Sequence, residues 1–244
     1  MHIFKNKKRI IILAAAALII IAAAVFGAVR WLLAYRAHHV EPVADSALSA
    51  LDLTKADKLM IVAHPDDEII WAGSHLLDGG YLVVCITNGR NAVRTHEFEE
   101  AVKESGNIPL ILEYPDKVNG KRDEWSEVRS GITDDISRIM KLKNWRYIAT
   151  HNPNGEYGHI HHKMTSEITT EVYNSTGASC PLYYFGKYYK AVKLPEVRDS
   201  LIPVADDKLK GKYELGDIYQ SQRKVFEKLD HMMPYEMWTE YTSP

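Results

Sequence analysis

The sequence predicts an α/β protein with a Rossmann-like, doubly wound and mostly parallel sheet, preceded by one N-terminal transmembrane helix. Two observations support this prediction. Short apolar runs alternate with segments of helical periodicity between residues 58 and 173, which is the pattern of a parallel sheet with right-handed helical crossovers. An uncharged run of roughly 20 residues lies near the N-terminus, and such a run is long enough to cross a bilayer.

The N-terminal segment has the features of a membrane anchor. Four basic side chains within residues 5–9 precede the uncharged run at residues 10–29, which would span about 30 Å as a helix. Because the stronger basic cluster precedes the run, we expect the N-terminus in the cytoplasm and the following domain outside it. A cleaved signal peptide is the alternative, since residues 22–28 are rich in small side chains, but its apolar region is usually shorter, about 7–15 residues.

This interpretation divides the chain into four segments. They are a cytoplasmic basic segment (1–9), a transmembrane signal anchor (10–34), a linker (35–57) and one domain (58–244). The roughly 200 residues that follow the anchor are enough for a single domain with a substantial core.

The elements of the domain follow from apolar periodicity and turn signals. Predicted strands are residues 58–63, 81–87, 109–112 and 147–150, which are short apolar runs typical of buried parallel strands. Predicted helices are residues 69–77, 94–105, 125–142 and a segment that ends near residue 173, each with helical signals. Beyond Pro181 the pattern is weaker, and it predicts a strand at residues 182–185 and a helix at residues 217–229.

The composition argues against several classes of function. A formal net charge of −2, without a basic stripe that carries interleaved aromatic residues, argues against nucleic-acid binding. No GxGxxG sequence follows the first predicted strand, so we do not expect a dinucleotide site. Two cysteines are too few for a disulfide framework. Cys85 lies inside an apolar run and is predicted to be a small core residue.

The sequence Ala-His-Pro-Asp-Asp-Glu at residues 63–68 follows the first predicted strand. Four ionisable side chains at the end of a buried strand are costly to place unless they bind something, and ligands of such sheets sit beyond the carboxyl ends of the strands. Pro65 ends the strand, and Asp66 and Asp67 begin the next helix, where carboxylates suit the helix dipole. The motif is therefore either an acidic helix start or a metal site with His64 and one aspartate as ligands.

A second cluster of histidines favours the metal site. His159 and His162 are three residues apart at the start of a helix, so both can face the end of the strand at residues 147–150. We expect this strand beside the first one, at the point where the strand order reverses and such folds bind ligands. His64, Asp67 and His162 would then leave an open position on a catalytic zinc, although other divalent metals accept the same ligand types.

Two further side chains are available for proton transfer. Asp66 can take a proton from water at the metal, and His159 can donate a proton or stabilise an oxyanion. A competing interpretation takes Asp66 and Asp67 as the acidic pair of a metal-dependent glycosyltransferase. That interpretation leaves the histidines without a shared task.

These motifs resemble those of the PIG-L/LmbE-like de-N-acetylase family, zinc enzymes that remove acetyl groups from N-acetylglucosamine. Residues 63–68 match the first signature of the family in full. Gly158, His159 and His162 match its second signature, Gly-His-x-Asp-His. The resemblance covers residues 58–173 and is weak beyond Pro181.

The resemblance implies a role for each matching side chain. The zinc ligands would be His64, Asp67 and His162, the general base Asp66, and the acid or oxyanion partner His159. Tyr157 would assist the oxyanion, while Arg94 and Asp116 would bind the sugar, with Arg94 and Glu97 forming the Arg-x-x-Glu helix start of the family. Glu68 and His161 are expected to lie behind the ligands and to support them.

One position departs from the family pattern. His161 stands where the second signature has aspartate, and a carboxylate there could orient His159. Loss of such a supporting partner costs about 10- to 100-fold in activity. We expect a membrane-anchored, zinc-dependent enzyme that hydrolyses the acetamide of an N-acetylglucosamine-type sugar on a glycan or glycolipid. The alternative is a catalytically weakened module of the same fold that binds metal and glycan.

Overall fold

A computed structural model describes residues 2–243, with side chains from residue 11 onward. In this part of the chain the strands are β1 (Lys58–Val62), β2 (Tyr81–Thr87), β3 (Ile108–Tyr114), β4 (Lys117–Val118), β5 (Lys121–Arg122), β6 (Tyr147–Thr150), β7 (Leu182–Tyr184) and β8 (Thr239–Glu240). The α-helices are α1 (His2–His38), α2 (Asp45–Ser49), α3 (Asp67–Leu76), α4 (Ala92–Glu104), α5 (Arg129–Met140), α6 (Ile160–Thr176), α7 (Leu194–Val197), α8 (Asp206–Gly216) and α9 (Arg223–Leu229).

The main sheet of the described residues has the strand order β3-β2-β1-β6-β7-β8. Strand β1 pairs in parallel with both β2 and β6, the outer pairs β2–β3 and β6–β7 are also parallel, and β8 is antiparallel to β7. The order reverses between β1 and β6, so a crevice opens beyond their carboxyl ends. The predicted α/β fold with a doubly wound, mostly parallel sheet is confirmed.

The two faces of the sheet contribute to separate apolar clusters. Every residue of β1 and β2 is buried, as expected for central parallel strands that helices cover on both faces. Leu59 and Ile61 point into the cluster on one side, whereas Met60 and Val62 point into the cluster on the other, because successive side chains alternate between faces. Cys85 is fully buried in the second cluster, as the sequence predicts.

The predicted helix at residues 125–142 begins too early, because α5 begins at Arg129. Trp125 has a φ of 55°, which is not helical, and its backbone N–H donates to the Oδ1 atom of Asp123 at 2.8 Å. The predicted helix at residues 217–229 is wrong over its first half. Helix α8 ends at Gly216, and a 3₁₀ turn at Gln220–Gln222 precedes α9.

Helix α1 is long and apolar enough to cross a membrane. The candidate span is Ile11–His38, whose most apolar stretch of 18 residues has a mean hydropathy of 2.8. Its side chains at residues 11–33 are exposed. The helix continues through His38, four residues past the predicted end of the anchor at residue 34. A signal sequence near the N-terminus can have the same length and composition.

A buried ion pair ties the C-terminal segment to the domain. Lys212 on α8 is fully buried, and its Nζ atom lies 2.7 Å from the Oε1 atom of Glu236. Glu236 also accepts hydrogen bonds from the backbone N–H of Ser74 at 2.8 Å and from Nδ1 of His75 at 2.7 Å. Burial acts to raise the pKa of Glu236, but the charge of Lys212 and these hydrogen bonds outweigh it and lower the pKa to about 2.

We predict that Lys212→Ala lowers the free energy of unfolding by about 3–5 kcal/mol, because it leaves the Glu236 carboxylate buried without its counterion. Urea unfolding of the full chain in detergent measures this change. Lys210→Ala is the matched control, since Lys210 is an exposed lysine of the same helix and should change the free energy by less than about 0.5 kcal/mol. Equal effects of the two substitutions would contradict the assignment.

Candidate metal centre

The chain turns sharply where β1 ends. Asp66 has a φ of 111°, a conformation that is rare for a residue other than glycine and that marks strain at functional sites. Its backbone N–H donates to the Oε2 atom of Glu68 at 3.1 Å, and its carbonyl accepts from the N–H groups of Ile69 and Ile70 at 3.1 and 3.0 Å. Helix α3 therefore starts immediately, with Asp66 and Asp67 held at the end of the sheet.

The carboxylate of Asp67 lies at the centre of the site. Its Oδ2 atom accepts from the backbone N–H of His64 at 2.9 Å and lies 3.0 Å from the Nδ1 atom of that residue. Its Oδ1 atom lies 3.2 Å from Nε2 of His162. Burial acts to raise the pKa of Asp67, but the positive charges of His162 and His151 in their protonated forms outweigh it and hold the pKa well below its usual range. The carboxylate is therefore ionised at neutral pH.

His162 presents an unpartnered nitrogen to this carboxylate. Its Nδ1 atom donates to the Oε2 atom of Glu156. In the neutral form of the ring, which is the form that binds a metal, the single proton is then on Nδ1 and Nε2 carries a lone pair. Its Nε2 atom is buried and makes no hydrogen bond with any described residue. A buried polar atom without a partner is rare in folded proteins and needs an explanation. A lone pair beside an ionised carboxylate is what a metal ion binds.

His64, Asp67 and His162 fit a divalent metal. Their ligand atoms all lie within 4.8 Å of one another, and the three side chains are buried. Two atoms that share a tetrahedral zinc lie roughly 3.3 Å apart, close to the distances of 3.0 and 3.2 Å that separate Asp67 from the two rings. Burial lowers the pKa of His64, so this ring is neutral at pH 7, which is the form that binds metals.

His151 and Glu156 support the site, and the sequence analysis missed both. His151 directly follows β6, and its Nε2 atom accepts from the backbone N–H of Ala63 at 3.0 Å. Its Nδ1 atom donates to Glu156 at 3.1 Å, so both ring nitrogens are already satisfied. Glu156 thus receives the Nδ1 protons of His151 and His162 on one carboxylate. The sequence does contain a signal for His151, because this histidine follows a buried strand in the same way that His64 follows β1.

His159 caps helix α6 and has a neutral ring. Its Nδ1 atom accepts from the backbone N–H of His161 at 3.2 Å, so Nε2 carries the ring proton. Burial, together with the nearby rings of His162 and His64, lowers the pKa of His159 to about 2. The ring centroid of His159 lies 4.5 Å from that of His162, so the two predicted histidines do reach the same site.

His161 contacts His64 through its side chain. Its Nε2 atom donates to the backbone carbonyl of Asp123 at 2.8 Å, and its Nδ1 atom lies 3.1 Å from Nε2 of His64. The ring stacks on Trp125 at a centroid distance of 4.3 Å. The residue that replaces the expected aspartate is therefore buried, hydrogen-bonded and placed behind a candidate ligand.

Asp66 lies beside the candidate ligands and has Arg94 as its partner. Its Oδ2 atom is 3.3 Å from an Nη atom of Arg94. Burial and the charge of Asp67 raise the pKa of Asp66 to about 7, against the opposing effect of Arg94. Glu68 is fully buried behind this turn and accepts a hydrogen bond from the hydroxyl of Tyr219.

Arg94 and Asp116, the expected sugar-binding residues, line a cleft of about 710 Å³. The Oδ1 atom of Asp116 pairs with Arg122 and lies 3.3 Å from Nε2 of His64. Tyr157 is exposed near the metal centre, with its ring centroid 5.5 Å from that of His162. Glu97 accepts from the backbone N–H of Ser221 at 2.7 Å and so ties α4 to the C-terminal segment.

The fold and the site define a class: an α/β protein with a candidate metal-binding active site where the strand order reverses. A model of the PIG-L family, described as GlcNAc-PI de-N-acetylase, matches residues 59–173. An uncharacterized protein of Acanthamoeba polyphaga mimivirus is 30% identical over 191 residues, which cover 71% of this chain and 75% of that relative. The chain belongs to the PIG-L family, whose members are generally hydrolytic de-N-acetylases.

We predict that Glu156→Gln weakens metal affinity about 10- to 100-fold, the usual scale for partners that orient a ligand. Glu156 uses its Oε2 atom for two imidazole N–H groups and Oε1 for the N–H of Asn152, and glutamine cannot accept on both sides. A competition titration with a chromophoric chelator measures the affinity. Glu167→Gln is the matched control, since Glu167 is an exposed glutamate of α6. Unchanged affinity in Glu156→Gln would contradict this role.

Proposed function

We propose that the chain is a membrane-anchored, zinc-dependent de-N-acetylase that hydrolyses the acetamide of an N-acetylglucosamine-type sugar outside the cytoplasm. The observation that carries the proposal is the buried group of His64, Asp67 and His162, with the unpartnered Nε2 atom of His162 beside the carboxylate. Membership of the PIG-L family supports the class of reaction. The basic segment before the apolar helix supports the orientation in the membrane.

His64, Asp67 and His162 would hold the zinc, which when bound polarises an acetyl carbonyl and lowers the pKa of water. Asp66 takes a proton from the attacking water, because its carboxylate stands beside the ligands without being tied to either ring. A pKa near 7 suits a group that both accepts and returns a proton at neutral pH. Arg94, 3.3 Å from the carboxylate, fixes its direction.

His159 acts as a hydrogen-bond donor to the developing oxyanion. The bond from the N–H of His161 occupies its Nδ1 lone pair, so Nε2 carries the proton of the neutral ring. A neutral imidazole is a good hydrogen-bond donor and a weak acid, which favours the oxyanion role over proton donation to the amine. Asp66, protonated after the first step, is then the group that returns a proton to the departing amine.

Tyr157 and the cleft position the substrate. Desolvation of its hydroxyl beside the site and the nearby carboxylates raise the pKa of Tyr157, so its phenol keeps its proton and can donate to the same oxyanion. Arg94 and Asp116 line the cleft, where a guanidinium and a carboxylate can hydrogen-bond to sugar hydroxyls. The substrate is an N-acetylated glycan or glycolipid whose sugar occupies this cleft and whose acetamido group extends to the metal centre, which adjoins the cleft through Arg94 and Asp116.

A weakened metal- and glycan-binding module is the second candidate, because His161 occupies the position of the expected aspartate. The side chains at the site favour catalysis over this alternative. The proposed base, the three proposed ligands and the carboxylate bonded to His162 lie together, and both ring nitrogens of His161 are hydrogen-bonded.

We predict that the full chain in detergent, with zinc added, releases acetate from substrates that contain N-acetylglucosamine. A chelator should stop the release and added zinc should restore it, because the metal polarises the acetyl carbonyl. Free, polymeric and lipid-linked sugars serve as the three substrate arms. Bound zinc without acetate from any of them would contradict catalysis and support the binding module, and His161→Asp would then show whether that residue silenced the site.

We predict that two substitutions in the site affect different properties, one the turnover and the other the metal content. Asp66→Ala should reduce turnover by about 10²- to 10⁴-fold, the scale of general base catalysis, and leave the metal content near that of the wild type. His162→Ala should lower the metal content itself, because it removes a ligand. Metal analysis and acetate release on the same samples separate the two roles. Loss of metal in Asp66→Ala, or full retention in His162→Ala, would show that the roles are assigned wrongly.

A further inference from the structure

We propose that the hairpin formed by β4 and β5 binds anionic phospholipid headgroups and seats the mouth of the cleft on the membrane surface. Residues 117–122 make up this interfacial hairpin, whose two strands pair antiparallel. The proposal rests on the membrane anchoring proposed above for α1, and it does not depend on the chemical reaction or on the metal.

The anchor helix meets the domain at the edge of the sheet that holds the metal centre. Helix α1 ends at His38, whose Nε2 atom donates to the Oδ2 atom of Asp123 at 2.8 Å. Arg90, in the loop after β2, donates to the carbonyl oxygens of Arg36 and His39 at 2.7 and 2.9 Å. Both contacts lie beyond the carboxyl ends of the parallel strands, so the membrane and the site are on the same side of the domain.

The hairpin reaches back along α1 to the level of the bilayer surface. The side-chain amide of Asn119 donates to the carbonyl oxygen of Arg30 at 3.2 Å. Arg30 directly follows the uncharged run at residues 10–29, so this peptide group lies where the hydrocarbon core ends. The helix from Arg30 to His38 rises about 12 Å, and the headgroup layer beyond the core is roughly 5–8 Å thick. The hairpin tip therefore lies within the headgroup layer.

The charges at this level suit an anionic surface. Lys117 and Lys121 are exposed, and neither has an acidic partner within 4.0 Å among the side chains described. Arg30 of α1 is exposed at the same level. The remaining basic residue of the hairpin, Arg122, pairs with Asp116.

Two exposed carboxylates, Glu124 and Glu127, lie just after the hairpin. Glu127 is 3.4 Å from Nδ1 of His38, so it faces the end of α1 and not the hairpin tip. Lys117, Lys121 and Arg30, which have no acidic partner among the described side chains, therefore outnumber these two carboxylates. Each lysine or arginine at an anionic surface strengthens binding about fivefold.

Docking of the hairpin places the cleft against the headgroups. Ala37 of α1 and Lys117 of the hairpin both line the cleft of about 710 Å³ that also contains Arg94 and Asp116. The mouth of the cleft is thus framed by the end of the anchor on one side and by the hairpin on the other. Groups that project a few ångströms beyond the headgroup layer can reach it, because Ala37 lies about 10 Å past Arg30 along the helix.

The test is lysine footprinting of the full chain in vesicles of phosphatidylcholine, alone or mixed with phosphatidylglycerol. An amine-reactive acylating reagent modifies exposed lysines, and mass spectrometry measures the rate at each position. We expect Lys117 and Lys121 to react about fivefold or more slowly in the anionic vesicles, and high salt to abolish the difference. Lys210 is the internal control, since it is exposed on α8. Its neighbour Gly211 lies against Leu77, at the end of α3 that is remote from the metal centre. The rate at Lys210 should not change.

Flotation of the same vesicles separates this proposal from the anchoring on which it rests. A chain that does not float with either vesicle overturns the anchoring and the hairpin proposal together. A chain that floats, with equal rates at Lys117 and Lys121 in both vesicles, overturns the hairpin proposal alone. Slower reaction of Lys210 to the same extent as the hairpin lysines also overturns it, because the effect would then be general.

Discussion

The buried carboxylate of Asp67 is the constraint on which the rest of the site depends. An ionised carboxylate in the interior is costly unless donors or cations surround it. The backbone N–H of His64 supplies one donor, and the rings of His64 and His162 approach from two sides. The Nε2 atom of His162 still lacks a partner. A divalent metal would satisfy the carboxylate and the nitrogen together, and its binding would then be coupled to the stability of this end of the sheet.

Carboxylates behind the candidate site hold its side chains in position. Glu156 receives the Nδ1 protons of two histidines and so fixes which nitrogen of His162 faces the centre. Glu68 accepts from the backbone N–H of Asp66 and thereby supports its strained conformation. The hydroxyl of Tyr219 donates to Glu68, although Tyr219 lies outside the range 59–173 that the family model matches. The C-terminal segment is therefore part of the support of the site.

The sequence predicts the features that depend on local pattern. Strands β2 and β6 have the predicted limits, because buried parallel strands appear as uninterrupted apolar runs. The convergence of the two histidine motifs also follows, since parallel strands place their carboxyl ends at one edge. The sequence thus predicts those residues of the candidate site that lie directly after a strand or at the start of a helix.

The features that the sequence does not predict depend on contacts between distant residues. His38 meets Asp123 across 85 residues of chain, and no periodicity indicates this pair. The positive φ of Trp125 removes the first turn of a predicted helix, because the side chain of Asp123 binds its backbone N–H. The contact of His161 with His64 likewise depends on the way the two strand ends face one another.

The measurement that tests the central claim most directly is anomalous scattering at the zinc edge from crystals of the zinc-loaded full chain. The account predicts an anomalous peak about 2.0–2.2 Å from His64, Asp67 and His162, with Glu156 still bonded to Nδ1 of His162. A peak bound instead by His64, His159 and His161, a group that is also close enough, would contradict the assignment. Zinc bound elsewhere in the crystal, with Nε2 of His162 hydrogen-bonded to another protein group, would contradict the claim that His64, Asp67 and His162 bind the metal.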